Sequence, residues 1–462
     1  MFLFERFIVS RKTSAVKGFH KLSVERRLGI LKDFAGLSSE EVKLLKSNSA
    51  LGLKTANFMI ENVVGTTQLP LGVATNFLIN KKEYFVPMAV EEPSVVAAAS
   101  YAAKLCRSTG GFTTYSDPPL MIGQIHVMGL PKLSARIITL RIRQNKKKMI
   151  KMANEKDSTL LKLGGGLRDI ETRIVKTSRG RSLIVHLIVD VRDAMGANIV
   201  NTMAETVAPY LEKLTKGKAR LRIISNLAVR RMAHARAIWP KKVLGEEIIE
   251  GVLDAYACAE ADKYRCATHN KGIMNGIDSV AIATGNDFRA LEAGAHAYAA
   301  MNGGYKPLTR YWKDKEGNLV GEIELPIQAG LVGGATRTHP IAKISHKILR
   351  VETSQELAGV MACVGLANNF AAMRAMVLEG IQFGHMRLHA RNIAVIAGAE
   401  GEMAEKVSEK IVKEKNISVA RAKEIIRKWR EDRKEKAREK ARKKIKKTDR
   451  FSGIKRKLRR KI

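Results

Sequence analysis

The sequence predicts an α+β fold in which a largely helical domain is interrupted by a smaller, strand-rich domain. Apolar residues recur at helical spacing over 22–47, whereas residues 120–229 contain Ile- and Val-rich runs that alternate with two helical segments. Helical patterns return after Arg231 and occupy most of the remaining chain. An inserted α+β domain accounts for this order of segments.

Local signals support the individual elements of the first part. Residues 72–90 contain two apolar runs around Asn80–Lys82, which predicts a β-hairpin whose pairing Pro87 limits. Residues 91–107 are rich in alanine and predict a buried helix with Pro93 at its first position. The two elements together form a strand-to-helix unit before the inserted domain.

The two ends of the chain differ from its middle. Residues 1–18 predict a loose basic extension. A long helix is predicted over 354–381, where Gly380 and Gly384 mark its end. Residues 418–447 form a charged helical pattern with oppositely charged residues one turn apart, and the remainder is expected to be disordered.

Composition limits the class of protein. The 462 residues are 45% hydrophobic, which predicts two or three globular domains. No apolar run approaches the ~18–20 residues that span a bilayer, and the N-terminus lacks a signal peptide, so we expect a cytoplasmic protein without a membrane span. The four cysteines form no CxxC pair, which favours reduced thiols.

The net charge of +37 is concentrated near the C-terminus. Residues 401–462 hold 26 lysines and arginines against 10 acidic residues. Such a tail suits contact with anionic surfaces or nucleic acid, although a solvated helix explains it equally. A nucleic-acid-binding protein remains an alternative, but aromatic residues are only 5% and no RRM, KH or zinc-finger signature is present.

Common cofactor motifs are missing from the sequence. There is no GxGxxG motif after a strand and no P-loop, which excludes the standard Rossmann and P-loop sites. The glycine clusters 164–166 and 333–334 are explained by turns as well as by ligand contact. The segment that joins a strand to a helix through Asp193, Gly196 and Asn198 places a helix N-terminus where it could meet a phosphate or ribose.

Several polar residues stand in apolar surroundings. Lys271 has no charged neighbour at helical spacing, and the flanking glycines predict a mostly uncharged turn. Glu91 and Glu92 lie between a strand and a helix start, where alternation points one outward and one inward. A carboxyl group in an apolar site can donate a proton near neutral pH, whereas two acids before a helix can also simply complement its dipole.

Three further residues allow more than one interpretation. Asp287 precedes a helical pattern, where an N-cap is its ordinary role. His385 follows Gly384, and His389 lies four residues later. The two histidines suit a metal on one helical face, with His339 as a third ligand in a metalloenzyme. Alternatively, a histidine after a glycine hinge is a mobile proton donor.

Eight segments, among them the motifs VEEP, DAMGAN, HNKG, TGND and GHM, together resemble 3-hydroxy-3-methylglutaryl-coenzyme A (HMG-CoA) reductase in its soluble prokaryotic (class II) form. They occur in one order over residues 61–77, 86–100, 164–171, 189–205, 264–278, 283–299, 330–340 and 379–399.

The resemblance implies five regions. A large, mainly helical substrate-binding domain spans 19–119 and 231–384, and a small ferredoxin-like, non-Rossmann dinucleotide-binding domain spans 120–230. A mobile C-terminal helical flap spans 385–429 and carries the catalytic histidine. The basic N-terminal extension 1–18 and the basic helix and tail 430–462 complete the chain.

The resemblance also implies a reaction, the reduction of HMG-CoA to mevalonate and CoA by two hydride transfers in the mevalonate pathway of isoprenoid biosynthesis. Lys271 is expected to stabilise the oxyanion, Glu92 to act as general acid, Asp287 to orient Lys271, and His385 to protonate the CoA thiolate. The same enzyme run oxidatively, in mevalonate degradation, is the alternative.

For the cofactor, the resemblance implies contacts from Asp157, Asp193, Met195, Gly196 and Asn198. Asp157 favours NADH over NADPH, because a carboxylate accepts a hydrogen bond from the ribose 2′-hydroxyl and repels a 2′-phosphate. No metal is implied.

For the substrate, the resemblance implies contacts from Ser94, Arg265 and Asn275. His20 stands where the family carries an arginine that contacts CoA phosphate, so only Lys21 is left to replace it. The family further implies a homo-oligomer, at least a dimer, with active sites between subunits.

Overall fold

The computed structural model describes residues 13–47, 50–131, 135–378, 381–433 and 435, with backbone alone for 381–388. The helices are α1 (Val24–Ala35), α2 (Ser39–Lys46), α3 (Leu53–Met59), α4 (Val95–Cys106), α5 (Ala135–Gln144), α6 (Lys146–Asn154), α7 (Ser158–Lys162), α8 (Ala197–Thr215), α9 (Lys241–Leu244), α10 (Glu246–Ala261), α11 (Lys263–Ala283), α12 (Phe288–Ala299), α13 (Gly334–Thr338), α14 (Pro340–Leu349), α15 (Ser354–Leu378), α16 (Ile381–Ile396) and α17 (Glu402–Lys413). The strands are β1 (Leu71–Ile79), β2 (Lys82–Ala89), β3 (Phe112–Ser116), β4 (Leu120–Met128), β5 (Gly166–Thr177), β6 (Gly180–Asp190), β7 (Lys218–Ile224), β8 (Met232–Trp239), β9 (Thr309–Lys313) and β10 (Leu319–Pro326).

The first sheet has six strands in the order β2-β1-β3-β8-β10-β9. The predicted hairpin is confirmed, since β1 and β2 pair antiparallel around Asn80 and Lys81. Both turn residues have positive φ angles, 47° and 67°, as the tight turns of two-residue hairpins require. Pro87 lies in β2 at the edge of the sheet, where a missing N–H costs no ladder hydrogen bond.

Helix α15 forms the centre of the large domain and packs against α11, α4, α10 and strands β3 and β8. Its 25 residues are long and apolar enough to cross a membrane, with a mean hydropathy of 1.4 over an 18-residue window. However, 67% of that window is buried within the protein. On α15, Phe370 stacks on Trp239 with 3.9 Å between ring centroids, so this helix is the core element of a folded domain.

The inserted domain has the ferredoxin-like topology that the family resemblance predicts. Its four strands follow the order β5-β6-β4-β7, and all neighbours are antiparallel. Helices α5–α7 lie between β4 and β5 in sequence, and α8 lies between β6 and β7, which gives the split β-α-β arrangement. Its apolar core is separate from that of the large domain.

Residues 13–18 differ from the loose extension predicted for residues 1–18, of which residues 1–12 lie outside the described residues. Ser14 is buried, and its hydroxyl donates to Phe77 O at 3.1 Å. The Ser14 amide also donates to Glu83 at 3.0 Å. Hydrogen bonds from Ser14 therefore bind this segment to the β1–β2 hairpin. The basic composition of the segment did not reveal that Glu83 would accept a hydrogen bond from it.

The chain divides into two units, Met1–Leu378 and Glu379–Ile462. The second unit contains α16, α17 and a helical stretch over 419–433 around a small apolar core. Gly384 lies inside α16 rather than at a break between helices, which contradicts its predicted place at a helix end. The tail from 436 onward and Gly380 lie outside the described residues.

Candidate active site

Lys271 lies in the middle of helix α11, not in the predicted turn. The flanking glycines misled that prediction: Gly276 serves helix packing, and Gly272 lies inside the helix, where a Cβ would have no neighbour within 4 Å. A Cβ on Gly276 would lie 2.7 Å from the Asn368 amide and 2.9 Å from Val364 O, so glycine allows α15 to approach α11 closely. The Lys271 side chain is 60% exposed on the outer face of α11.

Glu92 lies in the segment between β2 and α4. Helix α4 begins at Val95 with Ser94 as its N-cap, so Pro93 precedes the helix instead of occupying its first position. Ser94 adopts a φ of 88°, a left-handed conformation that reverses the chain and leaves Pro93 no place in the helix. Glu91 is exposed and the Glu92 side chain is 30% exposed, in agreement with one outward and one inward carboxylate.

The structure brings Lys271 and Glu92 together. The Lys271 ammonium Nζ lies 3.2 Å from Glu92 Oε2, across 179 residues of sequence. An ammonium held by a half-buried carboxylate can both stabilise negative charge on a bound oxygen and exchange protons with it.

Asp287 caps helix α12, as its sequence position predicts. Its carboxylate accepts a hydrogen bond from the Ala290 amide at 3.1 Å and forms an ion pair with Arg289 at 3.1 Å. Within the residues that the structure describes, no hydrogen bond or ion pair joins Asp287 to Lys271 of the same chain.

The predicted substrate contacts lie on the same two segments. Ser94 follows Glu92 by two residues, and Asn275 lies one turn after Lys271 on α11. Arg265 is at the start of α11, where burial lowers the pKa of its guanidinium. The side chain of His385 is outside the described residues, so its predicted role stays a prediction.

The predicted dinucleotide loop joins β6 to α8 in the inserted domain. Gly196 caps α8 with a φ of 102°, and a Cβ there would lie 2.6 Å from Val191. No side chain caps this helix end, so the first amides of α8 are free to bind an anionic group. Asn198, in the first turn, is exposed. These features fit a nicotinamide dinucleotide.

Hydrogen bonds from a buried arginine stabilise other parts of the same loop. The Arg231 guanidinium donates to Ala194 O at 3.0 Å and to Met195 O at 3.4 Å. Burial lowers the pKa of Arg231 to about 10, against the opposing effect of the Asp193 carboxylate. Asp193 accepts a hydrogen bond from the Ser354 amide at 2.8 Å. Asp193 therefore supports the loop from within, a role that sequence analysis did not predict.

Asp157 also has a structural role. Its carboxylate caps helix α7 by accepting a hydrogen bond from the Leu160 amide at 2.8 Å. Leu160 in turn packs beside Gly165, whose Cβ position is 2.8 Å from Asp190 O at the end of β6. The predicted contact between Asp157 and a ribose stays a prediction.

Sequence analysis missed a carboxyl pair between α11 and α12. Burial and the neighbouring Glu292 carboxylate raise the pKa of Asp278 to about 8. Glu292 Oε2 lies 2.5 Å from His296 Nε2, and this contact lowers the pKa of Glu292 and raises that of His296. The spacing of Glu292 and His296, one helical turn apart, could have predicted their contact from the sequence. The proximity of Asp278, which lies on a different helix, follows only from the tertiary structure.

A cavity of about 610 Å³ lies away from all these residues. It is on the sheet face that carries Tyr115, Arg236 and Glu324, and none of the predicted site residues lines it. Among the described side chains, no group of three or more His, Cys, Asp or Glu residues is placed to hold a metal ion.

Known proteins resemble this chain in sequence. Residues 23–390 match the sequence model of hydroxymethylglutaryl-coenzyme A reductase. The chain is 58% identical over 419 residues to the 3-hydroxy-3-methylglutaryl-coenzyme A reductase of Archaeoglobus fulgidus, which covers 90% of this chain and 95% of that protein.

Solved structures give the same result. The reductase from Streptococcus pneumoniae superimposes with a TM-score of 0.76 at 39% identity, over 89% of this chain and 99% of that one. A structure of the class II enzyme from the same organism, bound to NADPH in open conformations, has a TM-score of 0.75 at 39% identity and covers 88% and 100% of the two chains. The chain therefore belongs to the hydroxymethylglutaryl-coenzyme A reductase family and is an oxidoreductase of its class II form.

Proposed function

We propose that this chain reduces HMG-CoA to mevalonate and CoA with Lys271 as the group that stabilises the oxyanion. The observation that best supports this proposal is the 3.2 Å ion pair between Lys271 Nζ and Glu92 Oε2. It joins the two residue types that the reaction requires, a cation and a carboxyl group that donates a proton once it is protonated, on a surface that a substrate can reach.

Lys271 acts on the carbonyl oxygen of the thioester. That oxygen becomes negative during reduction, and an ammonium placed beside it stabilises charge that exists mainly in the transition state. The lysine is 60% exposed in the free protein, so bound substrate excludes the water that screens its charge. Glu92 donates the proton that the oxygen takes up.

His385 protonates the departing CoA thiolate. A thiolate is a good nucleophile, and its protonation prevents attack on the aldehyde that remains. His385 belongs to the second unit. We assign the proton transfer to it from the resemblance to the family. His385→Gln is expected to retain substrate binding and to lose turnover of the thioester more than reduction of mevaldehyde.

A nicotinamide dinucleotide supplies the hydride when bound. Gly196 and the open N-terminus of α8 would hold its phosphates, and Asn198 lies next to them. We favour NADH over NADPH because of Asp157. A spectrophotometric assay of the purified chain with HMG-CoA and each dinucleotide tests activity and preference together. Absence of turnover with both would contradict the proposed function.

We further propose that the active site is completed by a second copy of the chain. Asp287 pairs with Arg289 rather than with Lys271 in the single chain, so its orienting role calls for a partner. A suitable interface surrounds the ENVVG motif, where the apolar side chains of Phe58, Ile60 and Val64 are 80%, 65% and 100% exposed.

Complementation between two inactive variants distinguishes an active site shared by two subunits from one formed within a single chain. Lys271→Met and Asp287→Asn are each expected to be nearly inactive. If Asp287 of one subunit serves Lys271 of the other, coexpression creates heterodimers with one intact site, and about a quarter of the native activity returns under random pairing. Coexpressed variants that stay inactive would show that both residues act within one chain.

The physiological direction and location remain predictions, namely the biosynthetic direction in the cytoplasm, with mevalonate oxidation as the alternative. The basic tail is a separate proposal, an arm for nucleic acid or another anionic surface. Deleting residues 436–462 is expected to abolish a salt-dependent shift of DNA in gels while reductase activity is unchanged. An unchanged shift would contradict this role for the tail.

A further inference from the structure

A network of buried polar side chains adjoins Lys271 on the inner side of α11. His269 and Asn270, which immediately precede Lys271, are 1% and 0% exposed. His269 meets Thr309 on β9 and Asn369 on α15, which are 0% and 1% exposed. Buried polar groups are costly unless they are paired, so a network of this kind constrains its elements far more specifically than apolar packing does.

The hydrogen bonds fix the geometry of three elements at once. The Asn369 amide donates to His269 O at 3.1 Å, so its oxygen is the acceptor. That oxygen accepts from the Thr309 hydroxyl at 3.3 Å and from Tyr311 at 2.9 Å. Helix α11, strand β9 and helix α15 therefore meet at one side-chain amide.

A short hydrogen bond joins His269 to Thr309. His269 Nε2 lies 2.6 Å from Thr309 Oγ1, and the direction of this hydrogen bond depends on the tautomer of the ring. Burial lowers its pKa to about 3, which agrees with a ring that stays neutral.

A second anchor involves Asn270. Its side-chain oxygen accepts from the Leu308 amide at 3.0 Å, and its amide donates to Lys306 O at 2.9 Å. This two-point pairing holds α11 to the segment that leads into β9. Together with His269, it prevents rotation of the helix about its own axis.

Rotation is the movement that Lys271 tolerates least. Its nitrogen lies about 8 Å from the helix axis, given a Cα radius of ~2.3 Å and an extended side chain. A rotation of about 10° then displaces the nitrogen by more than 1 Å, and a misplacement of that size can cost up to ~100-fold in rate. Ile273 and Ile277 of α11 pack against Gly365 of α15 and also oppose such a rotation, and the hydrogen-bonded network adds directional restraints to this packing.

We propose that His269, Thr309 and Asn369 are positioning residues that set the rotation of α11 and thereby the location of the Lys271 ammonium. This inference rests on the proposed oxyanion role of Lys271. None of the three touches substrate in this account, because all are buried.

Two substitutions of Thr309 test the network. Thr309→Val keeps the shape and removes the hydroxyl, which leaves His269 Nε2 without its hydrogen-bond partner, whereas Thr309→Ser keeps the hydroxyl. We expect kcat to fall about tenfold in T309V and less than about twofold in T309S, with an unchanged KM for the dinucleotide, which the other domain binds. Equal kcat values for T309V and the native enzyme would overturn the proposal.

A matched tyrosine pair covers the case in which T309V does not fold. Tyr311→Phe and Tyr84→Phe each remove one buried hydroxyl that donates to a side chain of α15, Asn369 and Glu356 respectively. Only Tyr311 belongs to the network. A fall in kcat of a few-fold is expected for Y311F alone, and equal effects of the two substitutions would contradict a specific positioning role.

A double-mutant cycle separates positioning from general destabilisation. If Thr309 acts through Lys271, T309V should change the residual rate of Lys271→Met by less than about twofold. The same tenfold loss in both backgrounds would mean that T309V merely reduces the amount of folded enzyme. A Lys271→Met variant with native activity would instead refute the proposed function itself.

Discussion

The two regions proposed to bind substrate and cofactor differ in the groups that form them, charged side chains in one and the backbone of a loop in the other. The Lys271–Glu92 site consists of charged side chains that are 60% and 30% exposed. The loop before α8 is shaped by its backbone, through the left-handed Gly196 and the buried Arg231 that binds two loop carbonyls. We expect the first region to work through charge and the second through shape.

This difference predicts how each region responds to substitution. A change of charge on an exposed side chain leaves the fold intact and removes transition-state stabilisation, so it should lower kcat. A change of shape in a tight loop strains the backbone and misplaces several amides, so it should raise the KM for the dinucleotide and lower stability. The following substitutions test whether the two responses separate in this way.

The largest effect is expected for Lys271→Met. Loss of one oxyanion donor typically costs ~3–4 kcal/mol, and removal of a charged donor should lower kcat by at least about 10³-fold. Because the side chain is mostly exposed, the melting temperature should change little. Steady-state kinetics and thermal unfolding of the purified variant measure both quantities.

Lys263→Met is the matched control, since Lys263 is an exposed lysine at the start of the same helix. It should retain native kcat. A Lys271→Met enzyme that loses less than tenfold in kcat, or one that loses stability in proportion to activity, would show that this region does not work through charge.

The next effect concerns Gly196→Ala. A Cβ there would lie 2.6 Å from Val191 at a φ of 102°, so both strain and a clash arise. We expect a loss of about 1–3 kcal/mol in stability and at least a tenfold rise in the KM for the dinucleotide, with a smaller change in kcat. Urea unfolding and cofactor titration measure these changes.

Gly180→Ala separates strain from shape in the same domain. Gly180 has a similar φ of 103°, but a Cβ there has no neighbour within 4 Å. It should lose stability from backbone strain alone and keep the native KM. If G180A and G196A raise the KM equally, the loop geometry before α8 is not what binds the cofactor.

A smaller effect is expected for Asp157→Asn. Asparagine caps a helix about as well as aspartate, so the hydrogen bond to the Leu160 amide and the stability should persist. Loss of the negative charge should raise kcat/KM for NADPH relative to NADH by about 3–10-fold, because repulsion of a 2′-phosphate disappears. An unchanged ratio would remove Asp157 from cofactor selection.

The sequence singled out the residues of the charged region but not their local structure or how they meet. Lys271 stood out because no charged residue lies at helical spacing, and Glu92 because it lies in an apolar frame, but only folding joins residues 179 positions apart. Gly272 and Gly276 indicated a turn from local preference, whereas both lie inside α11, where Gly276 packs against α15. Close helix contacts and buried networks such as that of Asn369 depend on tertiary structure, which periodicity does not encode.

The smallest effect is expected for Asp278→Asn. This substitution tests a third region, the Asp278–Glu292 carboxyl pair, in which burial has the main influence on the pKa. The pKa of Asp278 is raised to about 8 from an ordinary value of ~3.9, so between these pH values the native state holds a proton that the unfolded chain has released. Stability therefore falls as pH rises through this interval and levels off above it.

The asparagine variant removes this titration, so its advantage in melting temperature over the native chain should grow between pH 5 and pH 9, by about 2–5 °C. Glu292 and His296 remain in both proteins, so their own titration largely cancels in the difference. Asp254→Asn, on the exposed face of α10, is the control for the loss of a carboxyl group that is not buried. A constant offset for D278N across this range would mean that Asp278 is ionised in the native state, and that charge, rather than burial, governs this pair as it does the Lys271 site.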